Sequence, residues 1–161
     1  LLKDDVNAGL AAISKPDTSP KLILDESGGC TISLPFPPSI VKLSGGQLQV
    51  EIRMAKTGEF FTLLSPLAAV HGQLSREFLD ALLHRQFYAE QVSSLSFAIA
   101  SVGDRDLLVA VHHWMLDAIA PEEFKRLFQK FISAVLSAIP EINNMASSEI
   151  SLAPIHSEQN S

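Results

Sequence analysis

Residues 94–139 read SLSFAIASVGDRDLLVAVHHWMLDAIAPEEFKRLFQKFISAVLSAI, a pattern of two strands followed by a helix. Leu95, Phe97 and Ile99 alternate with Ser96, Ala98 and Ala100, the period of a strand. Gly103, Asp104, Arg105 and Asp106 supply a hairpin turn. From Leu107 to Leu116 apolar residues fall on both faces, so this strand is expected to be covered on both sides, with two elements flanking it. Pro121 suits a first helical position, and Glu122 and Glu123 suit the positive end of a helix dipole. Phe124, Leu127, Phe128, Phe131, Ile132, Val135, Leu136 and Ile139 then recur at steps of three and four. Pro140 is expected to end that helix.

Upstream, Leu74 to Gln91 reads as a second apolar helix. Leu74, Phe78, Leu79, Leu82, Leu83 and Phe87 make a stripe wider than one buried face needs. The surplus points to contact with other proteins. Leu48, Val50, Ile52 and Met54 alternate with Gln47, Gln49, Glu51 and Arg53, the clearest strand of the chain. Lys56-Thr57-Gly58 turns into an antiparallel neighbour at Phe60 to Leu64. Cys30 to Leu34 is a strand, preceded by the turn Ser27-Gly28-Gly29 and by a short strand expected at Leu22 to Asp25. The loop Pro35-Phe36-Pro37-Pro38 cannot continue a strand, since three of its residues lack an amide donor. Leu2 to Ser14 is a first helix, with Leu2, Val6, Leu10 and Ile13 at helical spacing and a polar linker after it at Pro16 to Pro20.

The reading is an α+β fold: a twisted, mostly antiparallel sheet of about five strands with three helices, in the order α-β-β-β-α-β-β-α. One domain is expected over residues 1–140, and a polar, disordered tail over 141–161.

Composition agrees with a protein-binding role. The chain has 161 residues, 47% of them apolar, a mean hydropathy of +0.21 and a net charge of −6. Phosphate backbones would be repelled, so nucleic acid is not an expected partner. Apolar runs are interrupted well before the length of a membrane span, so no membrane insertion is expected. Lys3, Asp4 and Asp5 fall where the apolar core of a secretory signal would begin. A single cysteine, Cys30, excludes an intramolecular disulfide and suits a reducing cytosol.

No catalytic or metal constellation is visible. His112 and His113 are adjacent on a strand, point to opposite faces and cannot chelate one ion. His71, His84 and His156 have no ligand-spaced partner. Cys30 has no basic neighbour in sequence to activate it. The glycine pairs at Gly28 and Gly45 open neither a phosphate loop nor a dinucleotide pattern. No cofactor is expected.

In element order, and in the closing hairpin and helix quoted above, the chain resembles the class I type III secretion chaperones (the CesT, or Tir chaperone, family) over about Leu2 to Ile139. The narrower likeness is to the broad-specificity, HpaB-like chaperones of plant pathogens. The proline-rich loop at Pro35 to Pro38 and the polar tail depart from the family pattern. The resemblance implies a non-enzymatic homodimer in the bacterial cytoplasm, with a part in virulence. It would bind the N-terminal region of secreted effector proteins, hold it extended and export-competent, and contact components of the secretion apparatus. The resemblance places the dimer contact at Phe78, Leu79, Leu82, Leu83, Phe87, Phe97, Val109 and Val111. It places the effector groove at Val6, Leu10, Ile32, Leu34 and Phe36. Taken singly, each of these residues reads more readily as core; for the helix from Leu74 to Gln91 as a whole the interface is the stronger reading. Two other functions fit the composition: a small bacterial ligand-binding or sensory module, and a small enzyme with a dispersed site.

Overall fold

The computed structural model describes residues 1–14, 21–37, 46–92, 95–145 and 150–151, with 87–92, 150 and 151 described by their backbone only. Its elements are α1 (Leu2–Ile13), β1 (Gly29–Pro35), β2 (Gln47–Met54), β3 (Phe61–Val70), α2 (Arg76–Val92), β4 (Ser96–Val102), β5 (Arg105–Trp114), α3 (Pro121–Met145) and the two-residue β6 (Ile150–Ser151). The α+β class and the element order are those expected, with β6 in addition. The strands pair antiparallel throughout, in the order β1-β2-β3-β5-β4, with β6 on β3.

Three local expectations differ from the structure. Residues 21–25 form no strand. β3 continues to Val70, well past Leu64, although it contains Pro66. α3 runs through Pro140 to Met145, with Ile142 fully buried. Pro140 costs the helix one backbone bond, but the apolar stripe continues beyond it as Ile142 and Met145, and that burial outweighs the lost bond. Residues 141–145, expected in the disordered tail, are the last turn of α3. The linker at 15–20, the end of the proline-rich loop at 38–45, and the rest of the tail apart from Ile150 and Ser151 lie outside the described residues.

All three helices contribute to one core, on the inner face of the sheet. Cys30, Ile32 and Leu34 of β1 meet Leu48, Val50 and Ile52 of β2, and these join Phe61, Leu63, Leu108, Ala110 and Phe97 across the remaining strands. α1 presents Leu2, Val6, Gly9 and Leu10 to α3. A Cβ at Gly9 would overlap the Phe124 ring, so glycine is what lets the two helices approach. The loops around α1 are tied to it: Leu24 N–H donates to Asn7 Oδ1 at 2.9 Å, and Ile119 N–H donates to Asp5 Oδ2 at 3.1 Å. A run of aromatic contacts joins sheet to helix: Trp114 stacks on Phe61, Phe61 meets Phe124 at 5.8 Å, and Phe124 stacks on Phe128. Each large side chain so enclosed contributes about 1.5–3 kcal/mol before entropy is subtracted.

The sheet forks between β2 and β3. Their ladder runs from Met54↔Phe61 to Glu51↔Leu64 and goes no further. Beyond that point β2 stays with β1, and β3 stays with β5. Ser65 sits at the crotch. Its hydroxyl is fully buried and donates to the Gln49 carbonyl at 2.7 Å, doing for that acceptor what a ladder bond would have done. Just past it, β3 is bulged between Pro66 and Ala68, leaving Leu67 without a partner on β5. A bulge bends and twists the strand that carries it, which turns β3 away from β2. Higher in the fork, Ala69 and Val70 pair with Ser151 and Ile150 of β6.

Candidate interaction surfaces

The outer face of the sheet carries a second apolar cluster. Leu107, Val109 and Val111 of β5 are buried there, packed with Leu64 and Ala69 of β3 and Ala100 of β4. No helical residue among the described ones belongs to this cluster. The two-sided greasiness of β5 therefore has two sources. Leu108 and Ala110 face the helical core, and the alternate residues face this outer patch. In the plane of the sheet β5 is flanked by β3 and β4. The helices cover its inner face, but no element among the described residues supplies the second cover expected on its outer face.

Beside the patch lies a strand edge. β4 is the last strand in the sheet, and among the described residues no other strand pairs with its far side. Ile99 and Val102 of β4 are exposed. α2 lies against this strand. Gln86 Oε1 accepts from Phe97 N–H at 3.0 Å, the Arg85 guanidinium stands 5.6 Å over the Phe97 ring, and Arg85 pairs with Glu141 of α3. α2 starts at Ser75, whose hydroxyl accepts from Phe78 N–H as a helix N-cap. From that start its apolar stripe divides. Phe78 and Leu82, four residues apart, enter the core. Leu79 and Leu83, one position further round, remain 40% and 62% exposed.

The residues expected at a dimer contact are thus sorted. Leu79 and Leu83 are available to a partner. Phe78 and Leu82 are core, and Phe97 packs on the inner face under Arg85. Val109 and Val111 lie in the outer patch. Phe87 is on the α2 backbone, and its side chain lies outside the described residues. Those expected in an effector groove are more enclosed. Val6 and Leu10 are fully buried between α1 and α3, and Ile32 is core. Leu34 and Phe36 are half-buried against the core edge. The sequence reading missed Ser65, the fork and β6. A buried serine leaves no periodic trace, but a proline inside an otherwise apolar run, as at Ser65-Pro66-Leu67, was a visible sign of irregular pairing.

His112 and His113 lie on opposite faces, as strand geometry requires; His113 Nδ1 is 2.9 Å from Thr62 Oγ1 on the outer face, and its ring stands edge-on to Phe60. No group of three or more potential metal ligands occurs among the described residues. A shallow open groove of about 330 Å³ separates the Asp25 turn from β1 and β2, with Cys30, Glu51 and Arg53 on its walls. Its charges are already engaged. Asp25 Oδ1 accepts from the Ser27 hydroxyl and from the Ser27 and Gly29 amides, and these bonds hold its carboxyl below the ordinary carboxylate range. Glu51 pairs with Arg53. Burial pushes the Cys30 thiol up, so it is a poorer nucleophile than a free cysteine. No helix among the described residues is long and apolar enough to cross a membrane.

No family model matches the sequence, and no curated protein sequence matches it. Solved structures do match. A chain of the ExsC–ExsE complex superposes with a TM-score of 0.58 at 16% identity, covering 88% of this chain and 96% of that one. A chain of the HopA1–SchA chaperone–effector complex superposes with a TM-score of 0.53 at 12% identity, covering 86% and 92%. At such identities what is shared is the backbone arrangement, and it is shared over nearly the whole of each chain. The chain has the α+β fold of the class I type III secretion chaperones that its sequence resembles.

Proposed function

We propose that this protein is a non-enzymatic, homodimeric secretion chaperone of the bacterial cytoplasm. It binds the N-terminal region of type III secreted effectors and keeps that region extended for export. The observation that carries the reading is the match of fold, over 88% and 86% of this chain, to chains taken from complexes, one of them a chaperone with its effector. The surface supports it independently. Leu79 and Leu83 of α2 offer apolar contact, and the β4 edge, which no other described strand pairs and of which Gln86 takes the Phe97 amide, offers backbone groups; both suit pairing with a second copy. Export competence would require only that the client be held unfolded. That costs ordering entropy and demands a large contact, not a catalytic group.

The enclosure of Val6 and Leu10 moves the proposed effector contact. A client seated beside β1 would meet the half-buried Leu34 and Phe36 near the end of the strand, and not the α1 stripe. Co-expression with candidate effectors tests the reading. An effector that is insoluble alone should become soluble and co-purify, and removal of its N-terminal region should abolish both effects. If effectors from the same genome stay insoluble and uncaptured, the reading is wrong.

A further inference from the structure

We infer that Arg85 and Gln86 are positioning residues: they fix the rotation of α2 about its own axis, and so decide that Leu79 and Leu83, rather than Phe78 and Leu82, are left on the surface. The use made of the exposed pair rests on the chaperone reading; the fixing of the helix does not.

The apolar stripe of α2 poses a choice. Phe78 and Leu82 are buried. Leu79 and Leu83 follow each of them by one position, about 100° further round the helix. Each pair has the spacing of four that makes one apolar face. Both pairs consist of large apolar side chains, so burial alone separates the two rotations weakly. A polar group that finds its partners in one rotation only separates them better, which is the best-attested use of buried polar residues.

Arg85 and Gln86 are such groups. They stand three and four residues after Leu82, on its side of the helix. The Arg85 side chain is only 17% exposed, and it forms an ion pair with Glu141 of α3. Its guanidinium lies 5.6 Å over the Phe97 ring of β4. A planar cation can stack and pair at once, which an ammonium cannot do. Gln86 Oε1 accepts from Phe97 N–H at 3.0 Å. The three contacts thus reach two separate elements, β4 and α3. Rolling α2 by one position carries Arg85 off the ring and away from the carboxylate, and takes the acceptor from the Phe97 amide. The same roll would bury Leu79 and Leu83 and turn Phe78 and Leu82 outward. Arg85 and Gln86 therefore hold in place the apolar pair that α2 presents to a second copy.

The test is thiol labelling of the full chain carrying Cys30→Ser, so that each variant has a single introduced cysteine. Leu82→Cys puts that thiol on the buried stripe of α2, and Val135→Cys puts it in the core under α3. A maleimide should label both slowly. Arg85→Ala with Gln86→Ala is then added to each; it removes the three contacts and keeps strong helix formers in α2. The thiol at position 82 should now label at least about tenfold faster, and the thiol at position 135 at an unchanged rate. Equal acceleration at both positions would mean that the contacts only add stability to the whole fold. No acceleration at position 82 would mean that the core alone sets the rotation. Either result overturns the inference. Position 82 is buried within the single chain, so the rates do not depend on a second copy. Light scattering on wild type separates the two readings: a monomer would end the pairing with a second copy and leave the labelling result standing, whereas a dimer with unchanged labelling would end the positioning role and leave the dimer.

Discussion

The outer face of the sheet is two surfaces side by side. Over β1 and β2 it is polar: Thr31 and Ser33 on one strand, Gln49, Glu51 and Arg53 on the next. Over β3, β5 and β4 it is apolar: Leu64 and Ala69, then Leu107, Val109 and Val111, then Ala100. Both halves lie behind one continuous core, built by the alternate residues of the same strands. The inner face therefore does not dictate which residues occupy the outer one. The polar half satisfies the ordinary rule for an antiparallel sheet with one side in water. The apolar half is enclosed in the single chain, with Leu107, Val109 and Val111 all buried, and it lies beside β4, whose far side no other described strand pairs. The apolar side chains left exposed are Ile99 and Val102 of β4 and Leu79 and Leu83 of α2, and these are the ones open to another polypeptide.

The sharpest way to break this contrast is to place a charge on each half. Val109 is 1% exposed, and Val109→Asp should cost about 3 kcal/mol or more, since an unpaired charge would be buried. Thr31→Lys on the polar half should change stability by no more than about 0.5 kcal/mol. Urea denaturation of the two variants measures both. Similar losses would mean that the outer face is not divided as described.

The boundary between the halves is the fork, and Ser65 holds it. Ser65→Ala leaves the Gln49 carbonyl without its buried donor and should cost about 1–3 kcal/mol, again read by urea denaturation. A neutral substitution would show that the strands part for another reason. The smallest effect belongs to the polar half. Hydrogen bonds lower the Asp25 pKa in the folded chain, so its contribution is fully present above the ordinary value of 3.8 and is lost as pH falls through the lower, folded value. Asp25→Asn should therefore lower the melting temperature slightly at neutral pH and flatten its fall below pH 3.8. An unchanged acid limb would remove Asp25 as a contributor.

Much of this was legible in the residues. β2 is legible to its ends because Leu48 to Met54 alternate without a break. The closing hairpin is legible too, but its turn spans only Gly103 and Asp104, not Gly103 to Asp106, and its second strand runs Arg105–Trp114, not Leu107 to Leu116. β3 was cut short because the bulge at Leu67 breaks the period of two that reveals a strand. α3 was stopped at Pro140 because a proline rule was applied where packing prevailed; Ile142, three residues after Ile139, carried the contrary signal. The α1 stripe showed that Val6 and Leu10 are apolar but could not show what covers them. Gly9, which lets Phe124 in, is the residue that decides it. Division of the α2 stripe between core and surface was likewise out of reach, since periodicity locates an apolar face without counting its partners.

The central claim is that the exposed leucines of α2, with the β4 edge that no other described strand pairs, are covered by a second copy of the chain. The direct measurement is mass in solution by light scattering, for wild type and for Leu83→Asp. Leu83 is 62% exposed in the single chain, so an aspartate there leaves the fold intact while charging the contact. The account predicts a mass near twice 17.5 kDa for wild type and a folded species of 17.5 kDa for the variant. A wild-type monomer, or a dimer indifferent to Leu83→Asp, would contradict it.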